Sequence, residues 1–247
     1  MKKFIFFAML ALLLSVSTAQ AAEKSYVNGI DANYPPFGYM DEKGQPAGFD
    51  VESMNWIAKK MGFKIEHKPI AWDGIIPALL AKQIDMIASG MSITPDRQKQ
   101  VNFSTPYWNV ARVFITKKDS SFTPADFASK KVKVGAQRGT NESKEFKKEV
   151  EAKKYDVEVI LYESSPLIVE DILNGRIQAG LMDSAPANDA INKGKAVKTV
   201  GTFGETSNFG IAMRKGDKEL AKLVEEGYKL LKADPYWEEL QKKYKPK

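Results

Sequence analysis

Three short segments and a scatter of aromatics carry side chains able to hold a small charged molecule. The first segment is Ser89-Gly90-Met91-Ser92-Ile93-Thr94-Pro95-Asp96-Arg97. Thr94 and Pro95 fit an N-cap and first helical position, which puts Arg97 in the first turn. A cation there works against the helix dipole, so a nearby anion would account for it. A guanidinium fork matches a carboxylate through two parallel hydrogen bonds, and backbone N–H groups after Ser89 could add donors. An arginine paired on the surface fits the spacing equally well. The second segment, Gln137-Arg138-Gly139-Thr140-Asn141, lies between a strand and a helix. N–H groups at a helix start make an anion cradle, though an ordinary strand-to-helix turn looks the same. The third is Met182-Asp183-Ser184, whose carboxylate suits an N-cap or an ammonium acceptor. Asp31, Tyr34 and Trp72 fall near strand ends. Such rings can sandwich an aliphatic, flat or cationic group; for Phe37 and Phe49 core packing is the expected use.

What must position these residues is an alternation of short apolar runs with helical patterns, the signature of an α/β architecture. Strands are expected over 26–31, 63–69 and 85–89. Helices are expected over 51–61, with Asp50 as N-cap and Gly62 as stop, and over 73–81. The pattern restarts with strands at 131–135, 157–161, 178–182 and 209–213. Helices are predicted at 141–154, 166–173, 185–192, 217–232 and 235–244. Two halves of this kind place two sets of strand ends face to face, and ligands of open α/β sheets bind beyond the carboxyl ends of the strands.

Composition removes several function classes. The 247 residues carry 37 basic and 31 acidic side chains, a net charge of +6, but the excess is dispersed. Lys-rich stretches such as 144–154 alternate with Glu and read as solvated helix faces. No basic run interleaves with aromatics, so nucleic-acid binding is not expected. One His and no Cys leave little for a transition-metal site; no metal and no cofactor are expected. Residues 1–21 read as a secretory signal peptide: a basic start, an apolar run from Phe4 to Leu14, and Ala19-Gln20-Ala21 before the cut. Without cysteine there is neither a lipid-attachment site nor a disulfide, so the expected product is a free protein of the periplasm.

Read in order, the segments resemble a known family. Tyr-Pro-Pro-Phe at 34–37, Gly48-Phe49-Asp50-Val51 and Trp72-Asp73-Gly74-Ile75-Ile76-Pro77-Ala78-Leu79 come first. Asp85-Met86-Ile87, Ser92-Ile93-Thr94-Pro95-Asp96-Arg97 and Phe103-Ser104-Thr105-Pro106-Tyr107 follow. The string resembles the polar amino-acid solute-binding proteins of ABC importers, extracellular family 3, along essentially the whole chain after the signal peptide. That resemblance implies a two-lobed, type II Venus-flytrap fold with two crossing hinge strands. Lobe one would comprise 22–107 and 211–247 and lobe two 112–206, with hinges near 107–111 and 207–211. It implies a free L-amino acid as ligand, a membrane permease as partner, and a monomer. Arg97 would hold the α-carboxylate with help from Ser89, Gly90, Met91, Ser92 and Thr140, and Asp183 would accept from the α-ammonium. Tyr34 and Trp72 would flank the side chain, with Asp31 at its polar end. Gln137 and Arg138 lie where family members vary: an inward Arg138 would favour an acidic side chain, Asp31 with Ser89 a cationic or amide one. The leading expectation is a polar or basic ligand and binding without chemistry. The alternative is a cyclohexadienyl or arogenate dehydratase-like enzyme on the same fold, with Glu142 or Asp183 as its acid.

Overall fold

The computed structural model describes residues 24–244; the predicted signal peptide lies outside them. Two five-stranded sheets carry the fold, and both have the same plan. In the first, Ser25–Ile30 lies between Lys64–Pro69 and Met86–Ile87, all parallel, and Ala212–Arg214 and Val101–Phe103 complete the sheet as an antiparallel pair. In the second, Val132–Gln137 lies between parallel Val157–Tyr162 and Ala179–Asp183, followed by antiparallel Arg112–Lys117 and Val197–Thr202. Between the sheets, Trp108–Val110 pairs antiparallel with Ser207–Phe209. No helix among the described residues is long and apolar enough to cross a membrane.

Both sheets are covered on both faces, and the alternation of side chains along a strand sorts them between two cores. Met86 and Met213 enter one cluster of the first sheet, Ile87 and Ala212 the opposite one. In the second sheet Phe114 faces one cluster, while Val113 and Ile115 face the other. Burial on both faces is why such strands read as unbroken apolar runs rather than alternating ones.

Most expected elements form within a residue or two of their expected ends. Gly62 does end the first long helix, in the left-handed conformation. Four local differences have physical causes. The helix Phe49–Met61 starts earlier than expected and is capped by Gly48; Asp50 is not its cap but points into the core. Trp72–Gly74 forms a 3-10 turn before Ile75–Leu80, so the helix expected from 73 is shorter. The run 209–213 is two strands, Ser207–Phe209 and Ala212–Arg214, because its first part pairs with the connecting strand and its second with the sheet. Finally, Arg112–Lys117 and Val197–Thr202 were not expected; they join the sheet antiparallel, outside the parallel strand–helix repeat that the pattern follows.

Candidate functional site

The parallel strands of the two sheets end towards each other. Asp31 follows Ser25–Ile30, Ser89 lies just past Met86–Ile87, and Gln137 and Asp183 are the last residues of their strands. A narrow cavity lies among these ends, lined from the first lobe by Tyr34, Trp72, Gly90, Ser92 and Arg97. The second lobe supplies Gln137, Thr140, Glu142 and Asp183. The position obeys the rule that open α/β sheets bind ligands at the carboxyl ends of their strands.

Thr94 behaves as its spacing predicts: its hydroxyl accepts from the Arg97 N–H at 3.3 Å, with Pro95 in the first turn. The cap turns Arg97 towards the cavity, where Nη1 donates to the Ser92 carbonyl at 3.0 Å. The guanidinium carbon sits 5.3 Å from the centre of the Trp72 ring, a cation–π contact. Burial draws the Arg97 pKa down, and Glu142, Asp183 and Tyr34 oppose that through their negative charge. The surface ion pair that the spacing also allowed is not what forms.

Asp183 occupies the N-cap position of Ser184–Asn192 but makes no side-chain cap bond. Its Oδ2 instead accepts from the Tyr34 hydroxyl at 2.5 Å. Its Oδ1 is buried with no hydrogen-bond partner among the described residues. Glu142 lies in the first turn of Asn141–Lys153, one and two turns before the buried Phe146 and Val150. That i, i+4, i+8 stripe is the buried face of the helix, and its cavity end carries a carboxyl. Burial, then the neighbouring Asp183, pushes Glu142 up to about 8, against the pull of its own N–H, Thr140 and Arg97. Burial likewise pushes Asp183 up, against Tyr34, Arg97 and Arg112.

Further contacts tie one lobe to the other. Gln137 Nε2 donates to Asp31 Oδ2 at 2.7 Å and to the Glu163 carbonyl at 3.1 Å, while its Oε1 accepts from Ser165 at 3.3 Å. Asp31 is raised by burial, held back by Gln137 and the Asn33 N–H. Tyr34 stacks on Trp72 with ring centres 6.4 Å apart and planes 14° from parallel. At Gly139, with φ of +78°, a Cβ would lie 2.9 Å from the Asp73 Cα, so only glycine allows this approach of the lobes. Gly90, at φ +60°, leaves no room for a Cβ beside the Tyr34 ring.

Of the residues expected at the site, Tyr34, Trp72, Gly90, Ser92, Arg97, Gln137, Thr140 and Asp183 line the cavity. Asp31 reaches it through Gln137, and Ser89 is buried behind it, its hydroxyl accepting from the Asp31 N–H at 2.9 Å. Met91 packs in a core cluster with Ile75 and Ile87. The Asn141 side chain turns to Glu145 at 2.6 Å and lines an outer groove with Asp73 and Lys144. Arg138 points outward and faces Glu163 at 3.4 Å, so it adds no positive charge to the cavity. Glu142 had entered the sequence reading only as the acid of the dehydratase alternative. Its spacing to Phe146 and Val150 was the available signal. Asp50 is the other addition. Its Oδ2 accepts from the Gly90 N–H at 2.6 Å and the Tyr107 hydroxyl at 2.8 Å, fixing the turn that bounds the cavity. Among the described residues no cluster of His, Cys, Asp and Glu is arranged to hold a metal ion.

Comparison with known proteins bears on this geometry. The bacterial extracellular solute-binding proteins, family 3, match residues 26–247. The L-arginine-binding protein of Pseudomonas aeruginosa is 34% identical over 254 aligned positions, covering 99% of this chain and 96% of its own. A solved ancestral arginine-binding protein bound to arginine superposes with a TM-score of 0.83 at 34% identity, covering 90% of this chain and 99% of its own. The ancestral amino acid-binding protein AncCDT-1, a precursor of cyclohexadienyl dehydratase, superposes with a TM-score of 0.81 at 34% identity, over 89% of this chain and 95% of its own.

Proposed function

This chain belongs to the bacterial extracellular solute-binding proteins, family 3, and from that premise we propose that it captures a free L-amino acid between its lobes and delivers it to the permease of an ABC importer. The observation that carries the reading is the pairing of two opposite charges in one small cavity. Arg97 enters from the first lobe, and the unpartnered Oδ1 of Asp183 from the second. A zwitterion entering a desolvated cleft must exchange the hydration of each charge for a specific partner, or burial costs several kcal/mol. Arg97 would take the α-carboxylate, with N–H groups near Gly90 and Thr140, and Asp183 the α-ammonium. The side chain would lie between Tyr34 and Trp72 towards Asp31. An acidic wall with Arg138 outside it suits a polar or basic side chain, in keeping with the arginine named for two of the relatives. The lobes would hinge about the paired strands Trp108–Val110 and Ser207–Phe209. The protein would work as a free periplasmic monomer after removal of residues 1–21.

Calorimetric titration of refolded, ligand-stripped protein against the common L-amino acids plus ornithine and cystine tests the reading. Tight, saturable binding of one or a few similar amino acids is expected, and no heat from a folded protein refutes it. A second reading has one observation in its favour: Glu142 is a buried carboxyl in the cavity wall, its pKa raised by burial and by Asp183, the environment a general acid needs. AncCDT-1 bears the name of a dehydratase precursor. Turnover of prephenate or arogenate by the purified protein would establish that alternative; we propose binding without turnover.

A further inference from the structure

The cavity holds one charged group more than the backbone of an amino acid can use. Arg97 and Asp183 answer a carboxylate and an ammonium, and Glu142 is left over. It is 6% exposed and belongs to the cavity wall. The groups facing it come from separate elements: Arg97 from the short helix of the first lobe, Asp183 from a strand end of the second, and the Tyr34 hydroxyl between them. Thr140 faces it from the cap of its own helix. Arg112 acts on Asp183 from behind, and Asp31 is engaged by Gln137. With Arg97, Asp183 and Glu142 all ionised, one negative charge is uncompensated. In a desolvated space such a charge is neutralised by a counter-ion or by a proton.

We propose that Glu142 is a specificity-determining residue that reads the net charge of the ligand: ionised, it admits an amino acid with a cationic side chain, and protonated, a neutral one. The inference rests on the amino-acid reading above. Arginine brings one net positive charge and so displaces the proton to solvent. Glutamine brings none and leaves it in place. Glu142 is raised to about 8 without ligand, which sets the pH window. Arginine lowers the carboxyl's pKa, so its affinity rises with pH until about 8 and then levels off. The slope approaches about tenfold per pH unit where one proton is released. Glutamine affinity is flat below about 8 and falls above it. Titration of Asp183 acts on both ligands through their common ammonium and cancels in the ratio.

Calorimetric titration of arginine and glutamine at pH 6, 7, 8 and 9, each in two buffers of different ionisation enthalpy, reads affinity and proton count together. Expected in the wild type at pH 6–7 is release of close to one proton more per arginine than per glutamine, and this difference is the proton count attributed to Glu142. The arginine-to-glutamine affinity ratio should grow at least about tenfold from pH 6 to 8. Glu142→Gln, nearly isosteric, should lose both this difference and the slope, and Glu142→Asp should restore them. If Glu142→Gln does not fold, the wild-type proton count decides alone. Arginine binding with no more proton release than glutamine binding, or an unchanged ratio profile in Glu142→Gln, overturns the inference. So does binding of neither probe, whereas the amino-acid reading fails only if the whole panel gives no heat.

Discussion

Replacing Asp50 with Asn should make the protein more stable at pH 8 and change little at pH 4. Asp50 is fully buried beneath the site, its Oδ2 accepting from Gly90 and Tyr107 while its Oδ1 has no partner among the described residues. Burial raises its carboxyl from the ordinary 3.8 to about 7 against those two donors. The folded state therefore holds the proton more tightly than the unfolded chain, and stability falls as pH rises from about 4 to about 7, then stays level. A shift of about three units at 1.36 kcal/mol each gives roughly 4 kcal/mol as the upper limit of the loss. Asn resembles the protonated form: its carbonyl can accept from both donors, and its NH2 takes the place of the unpartnered oxygen. Thermal unfolding of wild type and Asp50→Asn between pH 4 and 8 reads the difference. Other titrating groups cancel between the two proteins. For a chain of this size each kcal/mol moves Tm by roughly 2–4 °C, so the variant should gain up to about 8–16 °C at pH 8. A constant difference across the range, or a less stable variant at pH 8, would show that the two charge-assisted bonds outweigh desolvation, and the reasoning would fail.

Two further predictions concern the cleft itself. Arg97→Ala should lower amino-acid affinity by at least about a hundredfold, since two charge-assisted hydrogen bonds are worth roughly 3–6 kcal/mol, with little change in the Tm of ligand-free protein; calorimetry that finds undiminished affinity removes Arg97 from the site. Gly139→Ala places a methyl 2.9 Å from the Asp73 Cα where the lobes meet, so affinity should fall roughly tenfold, about 1.4 kcal/mol, and small-angle scattering with saturating ligand should show a less compact molecule; wild-type affinity in that variant would mean the lobes need not approach there.

The parts of this fold that were legible in the sequence are those where local chemistry and global fold ask for the same residue. Thr94-Pro95 marks a helix start on local grounds, and the helix starts there. Gly62 marks an end and provides it. Arg97 stood out because a cation in a first turn needs a reason, and the cavity supplies one. Legibility fails where a residue's partner is distant in the chain. Asp50 has the position and type of a cap, yet its carboxylate serves Gly90 and Tyr107, 40 and 57 residues away. Asp183 looked equally like a cap until Tyr34, 149 residues distant, was placed against it. Arg138 and Gln137 are adjacent and both polar, but Gln137 ends its strand facing inward to Asp31, while Arg138 begins the following turn and faces outward to Glu163. Glu142 falls between these cases. Its stripe with Phe146 and Val150 was present in the sequence, but a carboxyl on a buried face becomes informative only once the opposite wall is known.

The shared plan of the two sheets explains why recognition and closure should be one event. Each sheet alone offers one charge of the proposed pair: Arg97 follows the strand ends of the first, and Asp183 closes a strand of the second. On the proposed reading, an α-carboxylate and an α-ammonium, separated by a single carbon, can be satisfied together only when the sheets are brought edge to edge. An open molecule would engage one charge and leave the other to water. The second charge-assisted bond is then available only to the closed state, and that differential affinity is what shifts a conformational equilibrium. The contacts Tyr34–Asp183 and Asp31–Gln137 already span the lobes in the same direction. If closure is driven, as proposed, by contacts to the amino acid's common backbone, side-chain preference would be free to vary at Asp31, Gln137 and Glu142 without disturbing the proposed hinge.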